Sequence, residues 1–111
     1  MKVLLVEDNK GLSDLYGLLL INKGHHVTVI NSLTQTKFAG IHIGDYDMVV
    51  AEYVMPGDGW GNGLELLRHL QDEYNMRTVL MSSIPLEYSV DKSIPVIMKP
   101  VDIVEIVETI L

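Results

Sequence analysis

Apolar residues gather along the chain in five short runs, residues 3–6, 26–30, 48–51, 78–81 and 95–98, each largely continuous rather than alternating and rich in Val, Ile and Leu. Strands buried on both faces read this way, which predicts a parallel sheet covered by helices on both sides. The segments between the runs carry helical periodicity. Leu12, Leu15, Tyr16 and Leu19 fall at i, i+3, i+4 and i+7, with Gly24 placed as a C-terminal cap. Ser32 and Gln35 have capping-box spacing for a second helix, and Leu66, Leu67, Leu70 and Tyr74 make the apolar stripe of a third. Asp102 and Glu105 cap a last helix, with Ile103, Val107 and Ile110 facing in and Glu105 and Glu108 facing out. Five alternations of strand and helix imply right-handed crossovers and a doubly wound α/β sheet.

The fourth helix is the weak element. Only thirteen residues, 82 to 94, separate the last two runs, and Ile84-Pro85 interrupts them. Pro85 is suited to a first helical position, so one or two turns over residues 85–91, or an irregular loop, is expected.

Composition narrows the picture. The chain has 111 residues, with 8 Lys plus Arg against 15 Asp plus Glu and no Cys. That length predicts a single domain over residues 1–111 with no output domain. The absence of Cys excludes zinc-thiolate centres, thiol nucleophiles and disulfides. A net charge of −7 argues against binding nucleic acid or an anionic membrane through bulk charge. No apolar run approaches the roughly 20 residues of a membrane span, and Glu7-Asp8 follow the first run too soon for a signal peptide. An acidic, cytoplasmic domain is expected.

Ligands of doubly wound sheets bind beyond the carboxyl ends of the strands. Those ends carry Glu7-Asp8, Glu52 followed by Tyr53-Val54-Met55-Pro56, Ser82-Ser83, and Lys99-Pro100. Clustered carboxylates repel one another unless a hard cation or a lysine sits among them. Oxygen-only ligands suit Mg²⁺, and a lysine suits a phosphoryl group.

The chain resembles the receiver domains of two-component response regulators. The motifs are KVLLVEDN at 2–9, YDMVVAEYVMPG at 46–57, GLELL at 63–67, TVLMSS at 78–83 and IMKP at 97–100. The resemblance implies a flavodoxin-like fold with strand order 2-1-3-4-5. It also implies transfer of a phosphoryl group from a histidine kinase to the end of the third strand, with Mg²⁺ on the acidic pair. Carried over, Asp8 is a direct Mg²⁺ ligand, Glu7 acts through water and the Val54 carbonyl is a third contact. Ser82 bonds the phosphoryl oxygen and Lys99 neutralises it. A cis peptide is implied at Lys99-Pro100.

Three departures from the family pattern stand out. Glu52 occupies the phosphoacceptor position, where the family has Asp. Its extra methylene adds about 1.5 Å, which brings its carboxylate towards where the phosphoryl group would sit. A displacement of about 1 Å can cost on the order of a hundredfold in rate. Glu52 then either pairs with Lys99 in a decayed site or acts as a built-in phosphate mimic. The second departure is the loop from Pro56 to Gly63, longer than is usual and carrying Gly57, Gly59, Gly61 and Gly63. Its plainest reading is a surface insertion with Trp60 folded onto the domain, against Trp60 as a partner contact or Asp58 as a further ligand. The third is Val96, where receivers commonly carry an aromatic reporter; a β-branched side chain with one dominant rotamer cannot switch in that way.

Other residues point less far. His25, His26, His42 and His69 lack metal-ligand spacing and are expected on the solvated surface. The six Met read as core filling. Ser82 and Ser83 have no implied histidine base. An acyl-phosphate phosphatase would need an Asp nucleophile, and a flavin protein a phosphate-cradling loop where Glu7-Asp8 stand. The expectation is a stand-alone, non-enzymatic module, monomer or weak dimer, that meets a histidine kinase or downstream regulator without phosphorylation and binds Mg²⁺ weakly. The alternative is a functional receiver in a phosphorelay.

Overall fold

The computed structural model describes residues 1–31, 42–53, 63–82, 94–98 and 102–109. Its elements are β1 (Lys2–Val6), α1 (Lys10–Asn22), β2 (His26–Ile30), a 3-10 turn (Ile43–Asp45), β3 (Met48–Glu52), α2 (Gly63–Tyr74), β4 (Arg77–Ser82), β5 (Val96–Met98) and α3 (Ile103–Thr109). The five strands form one parallel sheet in the order β2-β1-β3-β4-β5. This is the flavodoxin-like arrangement expected. The second and fourth expected helices, at Ser32–Gln35 and residues 85–91, lie outside the described residues, as does Ile110.

The continuous apolar runs are explained by two cores, one on each face of the sheet. Leu4, Val6, Val49, Ala51 and Leu80 pack with Leu64, Leu66, Leu67 and Leu70 of α2. Their alternates Val3, Leu5, Met48, Val50, Val79 and Met81 pack with Tyr16 and Leu20 of α1 and with Ile103 and Val107 of α3. Each such burial contributes roughly 1.5–3 kcal/mol. Met48, Met76 and Met81 are core residues, as expected.

Two helix ends, at Gly24 and Asp102, are where the sequence placed them. Gly24 has φ +90°, a left-handed backbone that glycine adopts without strain. Its N–H donates to the Ile21 carbonyl (2.9 Å) and the His25 N–H to the Leu20 carbonyl (3.1 Å), closing α1 in a Schellman turn. Before α3, Asp102 Oδ1 accepts from the Glu105 N–H at 3.1 Å.

The inward face of α1 differs from the apolar count. Ser13, Tyr16, Gly17 and Leu20 are buried, whereas Leu15, Leu18, Leu19 and Ile21 are 49%, 57%, 40% and 54% exposed. The inward face is a narrow strip, Ser13, Tyr16, Gly17 and Leu20, where a Cβ on Gly17 would make ordinary contact with Val29 Cγ2 at 3.6 Å, and Leu15, Leu18, Leu19 and Ile21 fall outside it. Tyr74, at the end of α2, is likewise exposed rather than part of the inward stripe. No helix among the described residues is long and apolar enough to cross a membrane.

Leu66→Ala is expected to cost about 2–5 kcal/mol in urea unfolding. Leu18→Ala should stay within about 0.5 kcal/mol of the wild type. An equal loss at both positions would mean that the outer face of α1 is covered in the folded protein.

Candidate functional site

Polar burial marks one edge of the sheet. Glu7, Ser13, Glu52, Thr78 and Ser82 are the buried polar residues among those described. Thr78 stands apart, at the opposite end of β4, where its hydroxyl accepts from Gln71 Nε2 at 3.1 Å. The other four lie at or beside the carboxyl ends of β1, β3 and β4.

Strand β1 leads into a turn whose two acids are treated differently. Glu7 is fully buried and Asp8 is exposed. The Glu7 N–H donates to the Ile30 carbonyl at 3.0 Å, extending the β1–β2 ladder by one rung. Its carboxylate Oε1 accepts from the Asn9 N–H at 3.2 Å. Asn9 then caps α1, its Oδ1 accepting from the Leu12 N–H at 3.0 Å.

At the end of β3, Glu52 is 4% exposed. It pairs in register with Met81, and the next residue, Tyr53, donates its N–H to the Met81 carbonyl at 2.8 Å. The backbone of Glu52 is thus fixed by the sheet, and its longer side chain must be accommodated within the site. Gly63 secures it from the other side. The Gly63 N–H donates to the Tyr53 carbonyl at 2.9 Å. A Cβ on Gly63 would overlap the Glu52 carbonyl oxygen and lie 2.8 Å from its carbonyl carbon. No side chain fits there.

Ser82 ends β4, fully buried, next to the register pair of Glu52 and opposite Met98 of β5. Glu52 and Ser82 are both engaged by neighbouring groups, as buried polar groups must be. Glu7, Glu52 and Ser82 therefore end three adjacent strands. Val54, Asp58, Trp60, Ser83, Lys99 and Pro100 lie outside the described residues.

The donor set is carboxylate and hydroxyl oxygen, which fits a hard cation in chemistry. Yet among the described residues no three His, Asp or Glu side chains stand together to hold a metal ion. The turn offers a reason: Glu7 is folded back on the Asn9 N–H while Asp8 is exposed.

Solved structures share this architecture. Thermotoga maritima response regulator TrrA, in complex with Mg²⁺-BeF, superposes with a TM-score of 0.78 at 20% identity, covering 99% of this chain and 98% of that one. The chain has the receiver-domain fold. The receiver domain of a Francisella response regulator gives a TM-score of 0.73 at 24% identity over 98% of this chain and 92% of that one. TrrA solved in complex with the histidine kinase ThkA gives 0.76 at 20% identity over 99% and 97%. No family model matches the chain, and no curated protein matches it.

On this receiver fold His25 is not the solvated residue expected. Its side chain is 10% exposed, with Nδ1 3.2 Å from the Met1 amine and Nε2 3.7 Å from Glu108 Oε1. His26, His42 and His69 are exposed, as expected. Sequence reasoning missed Asn9 and Asn31 at the site, where the Asn31 side-chain amide donates to the Glu7 carbonyl at 2.7 Å. An Asn directly before a helical stripe is a capping signal for the first; the second becomes visible only when β2 lies beside β1.

Gly63→Ala should destabilise the protein by about 1–3 kcal/mol, because the start of α2 or the end of β3 must move. An unchanged urea midpoint would mean that the two segments are not held in contact.

Proposed function

We propose that the chain is an atypical receiver module of two-component signalling that works through protein contacts and without phosphorylation, with Glu52 as a built-in phosphate mimic. The observation that carries this reading is the position of Glu52. It is buried at the end of the central strand, between the strand ends that carry Glu7 and Ser82. Its carboxylate stands one methylene further out than an acceptor Asp would reach. In the active-like arrangement Ser82 and Lys99 meet this carboxylate as they would meet a phosphoryl group. No bond to phosphorus forms, and the module is not an enzyme.

Glu7, Asp8 and Glu52 with the Val54 carbonyl are the groups that would hold Mg²⁺, whose chemistry when bound is to neutralise the carboxylate and phosphoryl oxygens. Binding is weak, because Lys99 competes for the same carboxylates and Glu7 Oε1 is already engaged by its own chain. The partner is a protein, a histidine kinase or a downstream regulator. Support comes from the TrrA–ThkA complex of the same fold and from α1, which presents Leu15, Leu18, Leu19 and Ile21 to solvent. The module acts in the cytoplasm as a monomer or weak dimer and contacts neither nucleic acid nor membrane.

Intact mass after incubation with Mg²⁺ and acetyl phosphate tests the reading. The wild type is expected to stay unmodified and Glu52→Asp to gain one phosphoryl group. An adduct on the wild type would restore the phosphorelay function. Failure of both proteins to react would sink the phosphate-mimic reading and move the function entirely to the surface.

A further inference from the structure

Away from the carboxyl edge of the sheet, one titratable side chain is buried where several elements meet. His25 lies between the cap of α1 and the first residue of β2, and its side chain is 10% exposed. The main chain around it is fixed. The His25 N–H donates to the Leu20 carbonyl at 3.1 Å, and the His26 N–H donates to the Met1 carbonyl at 2.9 Å. The ring is thereby held between the start of β1 and the end of α3. Its Nδ1 stands 3.2 Å from the Met1 amine. An ammonium only donates, so Nδ1 accepts and the ring proton sits on Nε2. Nε2 is buried with no hydrogen-bond partner among the described residues, an arrangement that folded proteins seldom leave in place. The carboxylate that faces it belongs to Glu108 of α3, whose Oε1 lies 3.7 Å away. That distance is within ion-pair range and beyond hydrogen-bond length.

We propose that His25 is a proton-operated tie between the α1–β2 turn and α3. With the ring neutral, Glu108 stands off, and its side chain, 49% exposed, stays hydrated. A second proton taken from solvent goes onto Nδ1, where it faces the Met1 amine, so that contact gives way. The imidazolium then carries its charge opposite Glu108, and its Nε2–H closes on Oε1. The Met1 ammonium opposes this change and Glu108 favours it. The other charged or titratable groups on the surrounding elements, Lys2 of β1, Lys23 at the α1 cap, His26 of β2 and Glu105 of α3, are exposed. Because the imidazole is nine-tenths buried, its charge is screened less than that of a surface pair. α3 follows Lys99 and Pro100 in the chain and packs on the sheet through Ile103 and Val107. Protonation of His25 thus sets how firmly the far end of this helix is held. The tie does not depend on the reading of Glu52.

The test uses the full chain. Thermal unfolding midpoints are measured for wild type, Glu108→Gln, His25→Gln and the double variant at about pH 5.5 and about pH 8, which bracket the titration of an ordinary imidazole. The lower value still lies above the ordinary carboxylate range. Gln keeps the shape of Glu at a half-exposed position and removes only its charge. Glu108→Gln is expected to lower the midpoint by about 2–4 °C at the lower pH and by no more than about 1 °C at the higher. In the His25→Gln background the same step should have no effect at either pH. If His25→Gln does not fold, the imidazole resonances of wild type and Glu108→Gln decide, since the second proton must go on at a higher pH in the wild type. Equal midpoint losses at both pH values, a loss that persists without the imidazole, or the same His25 titration in both proteins overturns the proposal.

Discussion

Strand β3 has no exposed residue from Met48 to Glu52, and it is paired on both sides, with β1 and with β4. A central parallel strand of this kind has its main-chain donors and acceptors committed to its neighbours and its side chains committed to two cores. Whatever stands at its carboxyl end is therefore placed by the whole sheet. Glu52 holds that position, and a substitution there alters the chemistry without altering the scaffold. The same constraint accounts for Gly63. Where α2 starts, its backbone passes so close to the Glu52 carbonyl that only glycine fits.

Burial also shapes the electrostatics of this edge. A carboxylate removed from water is costly unless hydrogen bonds or opposite charge compensate it. Glu7 meets that demand partly within its own turn, through the Asn9 N–H, while Asp8 stays hydrated. An acidic pair adjacent in sequence thus divides into one inward and one outward group.

The two faces of the sheet differ in how their helices use apolar residues. α2 buries its leucines conventionally. α1 instead meets the sheet through Ser13, Tyr16, Gly17 and Leu20, which leaves Leu15, Leu18, Leu19 and Ile21 on the solvent side. Scattered exposed leucines need no explanation, but several on one short helix do. A module that signals by contact has a use for such a face, in keeping with the proposed function.

Much of the fold was legible in the sequence, because continuous Val, Ile and Leu runs are a direct imprint of two-sided burial, and Gly24 and Asp102 carry local chemistry that caps helices wherever they occur. Strand order came from resemblance, since neither spacing nor propensity states which strands are neighbours. The identities of Glu7, Asp8, Glu52 and Ser82 as strand-end residues were readable for the same local reason. The sequence could not divide the acidic pair, choose the inward face of α1, bury His25 between Met1 and Glu108, or bring Asn31 to the Glu7 carbonyl. Each of these depends on which surfaces meet across tens of residues. Periodicity counts apolar side chains and cannot see the contacts that glycine, serine and asparagine make; only the packed tertiary structure decides them.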